Sequence, residues 1–234
     1  MPTLRVIGTG RAGSSLGRAL AGRGWEVREP LARGSDLRAA LHGVDLLVVA
    51  TPDAAIAGVA AQVERDERGV IAHLAGSQGL GVLAPHLRRA SLHPLVALPD
   101  ALLGAERLTS GAWFAVAGDP LARRAVDALG GRCFEVPDER RTLYHAAACI
   151  ASNHLVALLG QVERVAHAAG VPLEAYLELV RETVANVAEL GPARALTGPA
   201  ARGDTETLAR HRAALAADEL PAYDALLTAA RRLL

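Results

Sequence analysis

The chain contains no lysine. All 25 of its Lys and Arg residues are arginine, so a mechanism that needs a lysine amine, as Schiff base or as proton donor, is excluded. Asparagine occurs only at Asn153 and Asn186, and aromatic residues make up 3% of the chain. The two cysteines, Cys133 and Cys149, lack the spacing of a metal-ligand set, and they read as two buried thiols of a cytosolic protein. Neither sign of charge is in excess, because 25 basic side chains meet 25 acidic ones. A nucleic-acid-binding surface usually carries a basic excess, so no nucleic-acid partner is expected. The most apolar stretch, Asp45 to Thr51, is strand-sized, well short of the roughly 20 apolar residues of a membrane span. Met1-Pro2-Thr3-Leu4-Arg5 leads straight into a strand without the pattern of a signal peptide. A cytoplasmic location and no membrane association are therefore expected.

What is present is a core-forming composition, 51% hydrophobic over 234 residues, enough for one large domain or two small ones. In the first half short apolar runs alternate with helical patterns. Strands are expected at Leu4–Ile7, Trp25–Glu29, Asp45–Ala50, Val70–Leu74, Ala90–His93, Trp113–Ala117 and Arg132–Val136. Helices are expected at Ala12–Arg23, Ser35–His42 (with Ser35 as N-cap), Asp53–Glu64 and Asp119–Leu129. This alternation argues for a mostly parallel sheet with crossover helices. After Pro137 no strand pattern recurs. Arg140–Ala169 reads as one long helix closed by Gly170, and Pro172 opens a second that runs to about Leu190. Gly191-Pro192 breaks it, and shorter helices follow near Thr205–Ala217 and Pro221–Leu233. The expected architecture is α/β: a Rossmann-type doubly wound sheet over residues 1–137, then an all-α domain over residues 138–234. So small a helical domain would need a partner subunit to bury its apolar faces, which predicts a homodimer.

Gly8-Thr9-Gly10-Arg11-Ala12-Gly13 follows a strand and opens a helix, the context in which G-x-G-x-x-G marks a dinucleotide site. Gly8 permits the tight turn, Gly10 lets backbone approach the pyrophosphate, and Gly13 lets helix and strand pack closely. The helix N-terminus adds free N–H groups and a positive dipole end. The choice of cofactor turns on the end of the second strand. Glu29 there would bind a ribose 2′-OH and favour NAD, whereas Arg33, just beyond Pro30, would accommodate the NADP phosphate. NADP through Arg33 is the favoured reading, with NAD the alternative. The third strand ends in Ala50-Thr51-Pro52-Asp53; Thr51 and Pro52 are placed against the nicotinamide ribose, and capping of the next helix accounts for Asp53. His73-Leu74-Ala75-Gly76-Ser77 leaves its strand through a small-residue turn where a ligand could approach Gly76.

On these motifs the chain resembles the 6-phosphogluconate-dehydrogenase-like superfamily, which includes pyrroline-5-carboxylate reductase, ketopantoate reductase and prephenate dehydrogenase. It is most similar to a bacterial family of Rossmann-like proteins known only as predicted NADP oxidoreductases. The resemblance covers almost the whole chain. It rests on Gly8–Gly13, Val49–Asp53, Ser91–Pro94, Leu143–Ala148 with Ala151-Ser152-Asn153, and Leu196–Pro199 with Arg202-Gly203-Asp204. That family carries Ser-Arg after its second strand. Matching the block puts Arg33 at the arginine and Ala32 in place of the serine, which implies NADP.

The superfamily's hydroxyacid dehydrogenases use a lysine on the long helix, which this chain cannot supply. The corresponding helix instead offers His145, Cys149, Ser152 and Asn153, which share one broad face by helical spacing. His145 could act as general acid toward a carbonyl or imine, with Ser152 or Asn153 holding the substrate oxygen; helix packing explains the same residues equally well. His93, before Pro94 at a strand end, is a second catalytic candidate, or part of a turn fixed by the proline. Arg202 could clamp a substrate carboxylate, with Thr197 beside it, or could pair with Asp204. His42, His86, His154, His167 and His211 read as surface or packing residues. The leading expectation is an NADP-dependent oxidoreductase acting on a small carboxylate that bears a carbonyl or imine, without a metal. A non-catalytic NADP(H) sensor and a deazaflavin-linked NADP oxidoreductase are the alternatives.

Overall fold

The structure, a computed structural model, describes residues 1–234. Seven strands form one sheet: β1 (Thr3–Ile7), β2 (Glu26–Val27), β3 (Leu46–Val49), β4 (Val70–His73), β5 (Arg89–Pro94), β6 (Trp113–Gly118) and β7 (Arg132–Glu135). Their order is β2-β1-β3-β4-β5-β6-β7. Every neighbouring pair is parallel except β5 and β6. The helices of this part are α1 (Arg11–Ala21), α2 (Ile56–Ala60), α3 (Ala101–Leu108) and α4 (Leu121–Ala128). The chain leaves β1 toward β2 on one side and returns to β3 on the other, so strand order reverses between β1 and β3. In doubly wound sheets the ligand crevice lies at that reversal, outside the carboxyl ends of the strands.

The sheet is buried on both faces, as continuous apolar strands require. Leu46 and Val48 of β3 face one core cluster together with Leu16, Leu20 and Phe114. Leu47 and Val49 face the other, with Leu41, Ile56 and Ile71.

Three local expectations are corrected. First, residues 35–42 form no helix: 35–37 are irregular, and a run of turns follows from 38 to 43. Leu37, Ala40, Leu41 and Val44 are buried as the apolar period implies. However, Gly34 and Gly43 flank the stretch with positive φ, and the Asp36 carboxylate is taken by the Arg38 backbone and guanidinium. Ser35 does not cap a helix; its Oγ accepts from Ala32 N–H. Second, the helix expected to run to Glu64 is a 3-10 turn, Asp53–Ala55, followed by α2, which ends at Ala60. Asp53 is not its cap: its carboxylate accepts from the Ser77 hydroxyl at 2.8 Å and ties the loops after β3 and β4 together. Third, α3 was not expected. Asp100 caps it, accepting from the N–H groups of Leu102 and Leu103. Gly104 weakens the helical pattern there, yet the fold requires it, since a Cβ at 104 would meet Ser15 of α1.

The remaining helices are α5 (Arg141–Cys149), α6 (Leu155–Ala168), α7 (Leu173–Leu190), α8 (Pro192–Ala195), α9 (Pro199–Arg202), α10 (Thr205–Ala214) and α11 (Leu220–Arg231). A π turn, Ile150–His154, links α5 to α6, and the short α8 and α9 lie where only breaks were expected. The chain divides into two compact units, Met1–Ser152 and Asn153–Leu234. The division falls beyond the expected boundary near Pro137 because α5 packs back onto the sheet through Arg141 and Tyr144. Cys133 and Cys149 are free and half-buried, not fully buried.

In the second unit only Ala166, Leu208 and Glu219 are buried. Glu219 joins its helices: its carboxylate accepts from Arg164, and its backbone carbonyl accepts from Gln161. No residue of α7 is buried, and Leu179, Val184, Val187 and Leu190 stand exposed. The helical run Asp138–Ala168, 31 residues with mean hydropathy 1.3 in its most apolar window, is long and apolar enough to cross a membrane by length and composition. It is far longer than the strand-sized Asp45–Thr51 stretch.

Candidate active site

The glycine turn has the geometry its sequence implies. Gly8 adopts φ +110°, and a Cβ on it would lie 2.6 Å from the Ala50 carbonyl oxygen. A Cβ on Gly13 would collide with the Gly8 carbonyl and lie 2.9 Å from Val6 Cγ1. These two glycines bring α1 down onto β1 and β3. Gly10 differs, because nothing lies within 4 Å of its Cβ position. It is the N-cap of α1 and offers no side-chain cap, so the first N–H groups of the helix face outward. Thr9, Gly10 and Arg11 are exposed and Ala12 is half-buried. Beside them Thr51 Oγ1 is buried without a hydrogen-bond partner, and Pro52 is exposed. Arg33 is exposed in the turn after Leu31, whose carbonyl accepts from Gly8 N–H. Glu29 is exposed as well, and Arg28 pairs with Glu26.

The two kinds of glycine separate experimentally. Gly13→Ala is expected to cost up to about 3 kcal/mol through forced overlap with backbone, whereas Gly10→Ala should leave the thermal midpoint unchanged. Thermal unfolding of both variants checks this.

A second cluster assembles at the carboxyl ends of β4 and β5. His93 Nδ1 and the Tyr144 hydroxyl are 2.7 Å apart, with the rings edge to face at 5.5 Å. His145 stacks edge-on to His93 at 6.0 Å, and its Nε2 lies 4.0 Å from Cys149 Sγ. Gly76 forms the floor of this cluster: a Cβ on it would lie 2.9 Å from His93 Nε2 and 2.8 Å from His145 Cδ2. Behind the cluster, Arg141 is fully buried. Its Nη2 donates to Ser91 Oγ at 2.7 Å and its Nε to Asp138 Oδ1 at 3.1 Å. His73 is buried on β4 opposite Ser91, and its Nδ1 accepts from Ala75 N–H.

Electrostatics follow from burial. Desolvation, reinforced by the neighbouring Arg141 charge, lowers His73 to about 4. Desolvation, then repulsion from His145, lowers His93 to about 4. Burial pushes the Tyr144 phenol up to about 12. At neutral pH, therefore, His93 and His73 are neutral and Tyr144 keeps its proton.

Of the residues expected from sequence, Gly76, His93, His145 and Cys149 come together. Ser152 and Asn153 are exposed in the π turn. The four-residue step holds from His145 to Cys149, and the wider π turn changes the spacing after it. Thr197 and Arg202 belong to the second unit and are exposed there, Arg202 ending α9. Asp204 caps α10 through Thr207 N–H. Tyr144, Arg141 and His73 were missed. Arg141, Tyr144 and His145, spaced at i, i+3 and i+4, carried the signal that one helix face is polar.

Residues 114–230 match the model of a family described as a domain of unknown function, DUF2520. The chain belongs to that family. No curated protein matches this DUF2520 chain by sequence. Among solved structures it is similar to a candidate NADP oxidoreductase from Bacteroides fragilis, with TM-score 0.79 and 20% identity, covering 99% of this chain and 98% of that one. It is also similar to a reductive aminase from Aspergillus terreus solved with NADPH and ethyl levulinate (TM-score 0.70, 16% identity, 99% and 94% covered). A third likeness is to the Plasmodium falciparum pyrroline carboxylate reductase with NADP bound (TM-score 0.63, 12% identity, 99% and 98% covered). At such identities the likeness establishes the fold that the DUF2520 chain shares with them, a Rossmann-type sheet followed by helices.

Proposed function

We propose that the chain is an NADP-dependent oxidoreductase that reduces a carbonyl or imine on a small carboxylate. The observation that carries this reading is the His93–Tyr144–His145 cluster over the bare Gly76 backbone, in the same compact unit and at the same sheet end as the open Gly10 turn. The empty space at Gly10 and the unpartnered, buried Thr51 Oγ1 fit a dinucleotide. Gly8, Thr9, Gly10, Arg11, Ala12 and Gly13 would hold its pyrophosphate, Thr51, Pro52 and Gly76 would border the nicotinamide end, and Arg33 would hold the 2′-phosphate. The bound cofactor supplies the hydride.

The chain's own residues manage the proton. With Tyr144 assigned as the donor to His93 Nδ1, the ring proton of His93 lies on Nε2, the nitrogen next to Gly76. As a neutral imidazole, His93 then polarises the substrate oxygen or nitrogen by donating a hydrogen bond without giving up its proton. His145 delivers the proton that completes the reduction. Ser152 is assigned to the substrate on its sequence pattern alone.

The exposed apolar face of α7 supports a homodimer through the helical unit. A bilayer location for Asp138–Ala168 is disfavoured, because Arg141 and Tyr144 are committed to β5; a soluble, cytoplasmic protein is the consistent reading. Light scattering at twice the chain mass would support the dimer, and a monomer mass would refute it.

Arg33→Ala is the direct test of the cofactor assignment. It should weaken NADPH binding roughly tenfold or more, equivalent to about 1.4 kcal/mol, and leave NADH binding unchanged. Equal loss for both nucleotides would remove Arg33 from the phosphate site. Tight NADPH binding with no turnover across a panel of ketones and imines would favour a sensor over an enzyme.

A further inference from the structure

We infer that Arg141 is a positioning residue of this site: it ties α5 to β5 one turn before Tyr144 and His145, and so fixes how the Tyr144 hydroxyl meets His93. The inference rests on the reading of this cluster as the reducing site.

Two rungs join α5 to β5. Ser91 and His93 are two residues apart on the strand, so they leave the same face of the sheet. Arg141 stands three and four residues before Tyr144 and His145, so all three share one helix face. The inner rung is Arg141 Nη2 to Ser91 Oγ at 2.7 Å, and the outer rung is Tyr144 to His93 at 2.7 Å. Asp138 holds the guanidinium from the other side. Its carboxyl packs where a side chain on residue 79 would stand, so Gly79 is needed for it to fit.

Anchoring alone does not call for an arginine. The side chain is fully buried, its only carboxylate partner is 57% exposed, and Nη1 has no partner. A buried cation so incompletely paired costs stability that an apolar residue of the same volume would not. What an apolar residue would lack is the charge and the forked reach to Ser91. The groups facing His93 are Tyr144, His145 and Arg141 from α5, His73 from β4, and Asp53 from the turn after β3. Burial and then His145 do most to keep the His93 ring neutral, and Arg141, the permanent cation of the set, adds to them in the same direction.

The test is a pH titration of the imidazole nitrogens of the full-length protein by NMR, without cofactor, for the wild type, Arg141→Met and Ser91→Ala. His93 in the wild type is expected to titrate near 4, with a hydrogen-bonded Nδ1 signal. In Arg141→Met the midpoint should rise, since one of the charges that lowers it is gone, and the Nδ1 signal should lose its hydrogen-bond signature. In Ser91→Ala the charge stays and one anchor goes. The midpoint should hold while the Nδ1 signal broadens or shifts, and kcat should fall about tenfold at unchanged NADPH affinity. A folded Arg141→Met with both His93 readouts unchanged overturns the inference. If Arg141→Met does not fold, Ser91→Ala decides: an altered Nδ1 signal supports the inference and an unaltered one overturns it. Because the NMR readouts need no turnover, an inactive wild type would overturn the reading of the site while these results still judge Arg141.

Discussion

Acidification from pH 7 to pH 4 is expected to strip several kcal/mol of stability from the first unit, most of it through His73. In the unfolded chain a histidine binds its proton near 6.5. In the fold, burial and the Arg141 charge hold His73 at about 4, and burial with His145 holds His93 there too. Between these two pH values the unfolded state takes up protons that the folded state refuses, so folding stability falls as pH falls. The contribution is fully present above about 6.5 and is lost by about 4, below which neither histidine adds further slope. A shift of this size corresponds to about 3 kcal/mol for His73. His93 is less deeply buried and should contribute less. Urea unfolding at pH 7.5, 6, 5 and 4 measures the slope, and it should flatten in His73→Gln relative to the wild type if that variant folds. A stability that is level from pH 7 to 5 would mean that both rings bind protons normally.

The second large effect is on chemistry. His145→Ala should lower kcat for reduction by roughly 10²- to 10⁴-fold, the usual worth of a placed general acid, with NADPH affinity intact. His93 cannot take over this role, since its ring is neutral at working pH. Tyr144→Phe should cost less, because it removes the orientation of His93 and leaves the donor in place. A residual rate within twofold of the wild type in His145→Ala would assign the proton to another group.

How much of this was legible depended on the range of the interactions. The strands were, because Leu46–Val49 and Val70–Ala72 are apolar on both faces and announce burial without knowledge of their neighbours. The glycine turn was, because its constraints lie within six consecutive residues plus the strand end at Ala50. The helix α3 was hidden by Gly104, whose purpose is contact with Ser15, and that pairing is invisible from local pattern. At 35–42 the apolar period was genuine, but successive turns satisfied it as well as a helix would. At the site, His93 and His145 were found singly, by strand-end and helix-face arguments. Their organisation was not, because Tyr144 reaches His93 across 51 positions and Arg141 reaches Ser91 across 50. Such partners become neighbours only once β5 and α5 are packed.

Titration of the purified protein with NADPH and NADH, followed by nicotinamide fluorescence in the wild type and in Gly10→Ala, tests the central claim most directly. The account predicts saturable NADPH binding by the wild type, weaker NADH binding, and loss of both in a Gly10→Ala protein that melts at the wild-type temperature. Absence of binding in the wild type, or undiminished binding in Gly10→Ala, would contradict the assignment of this turn as the dinucleotide site.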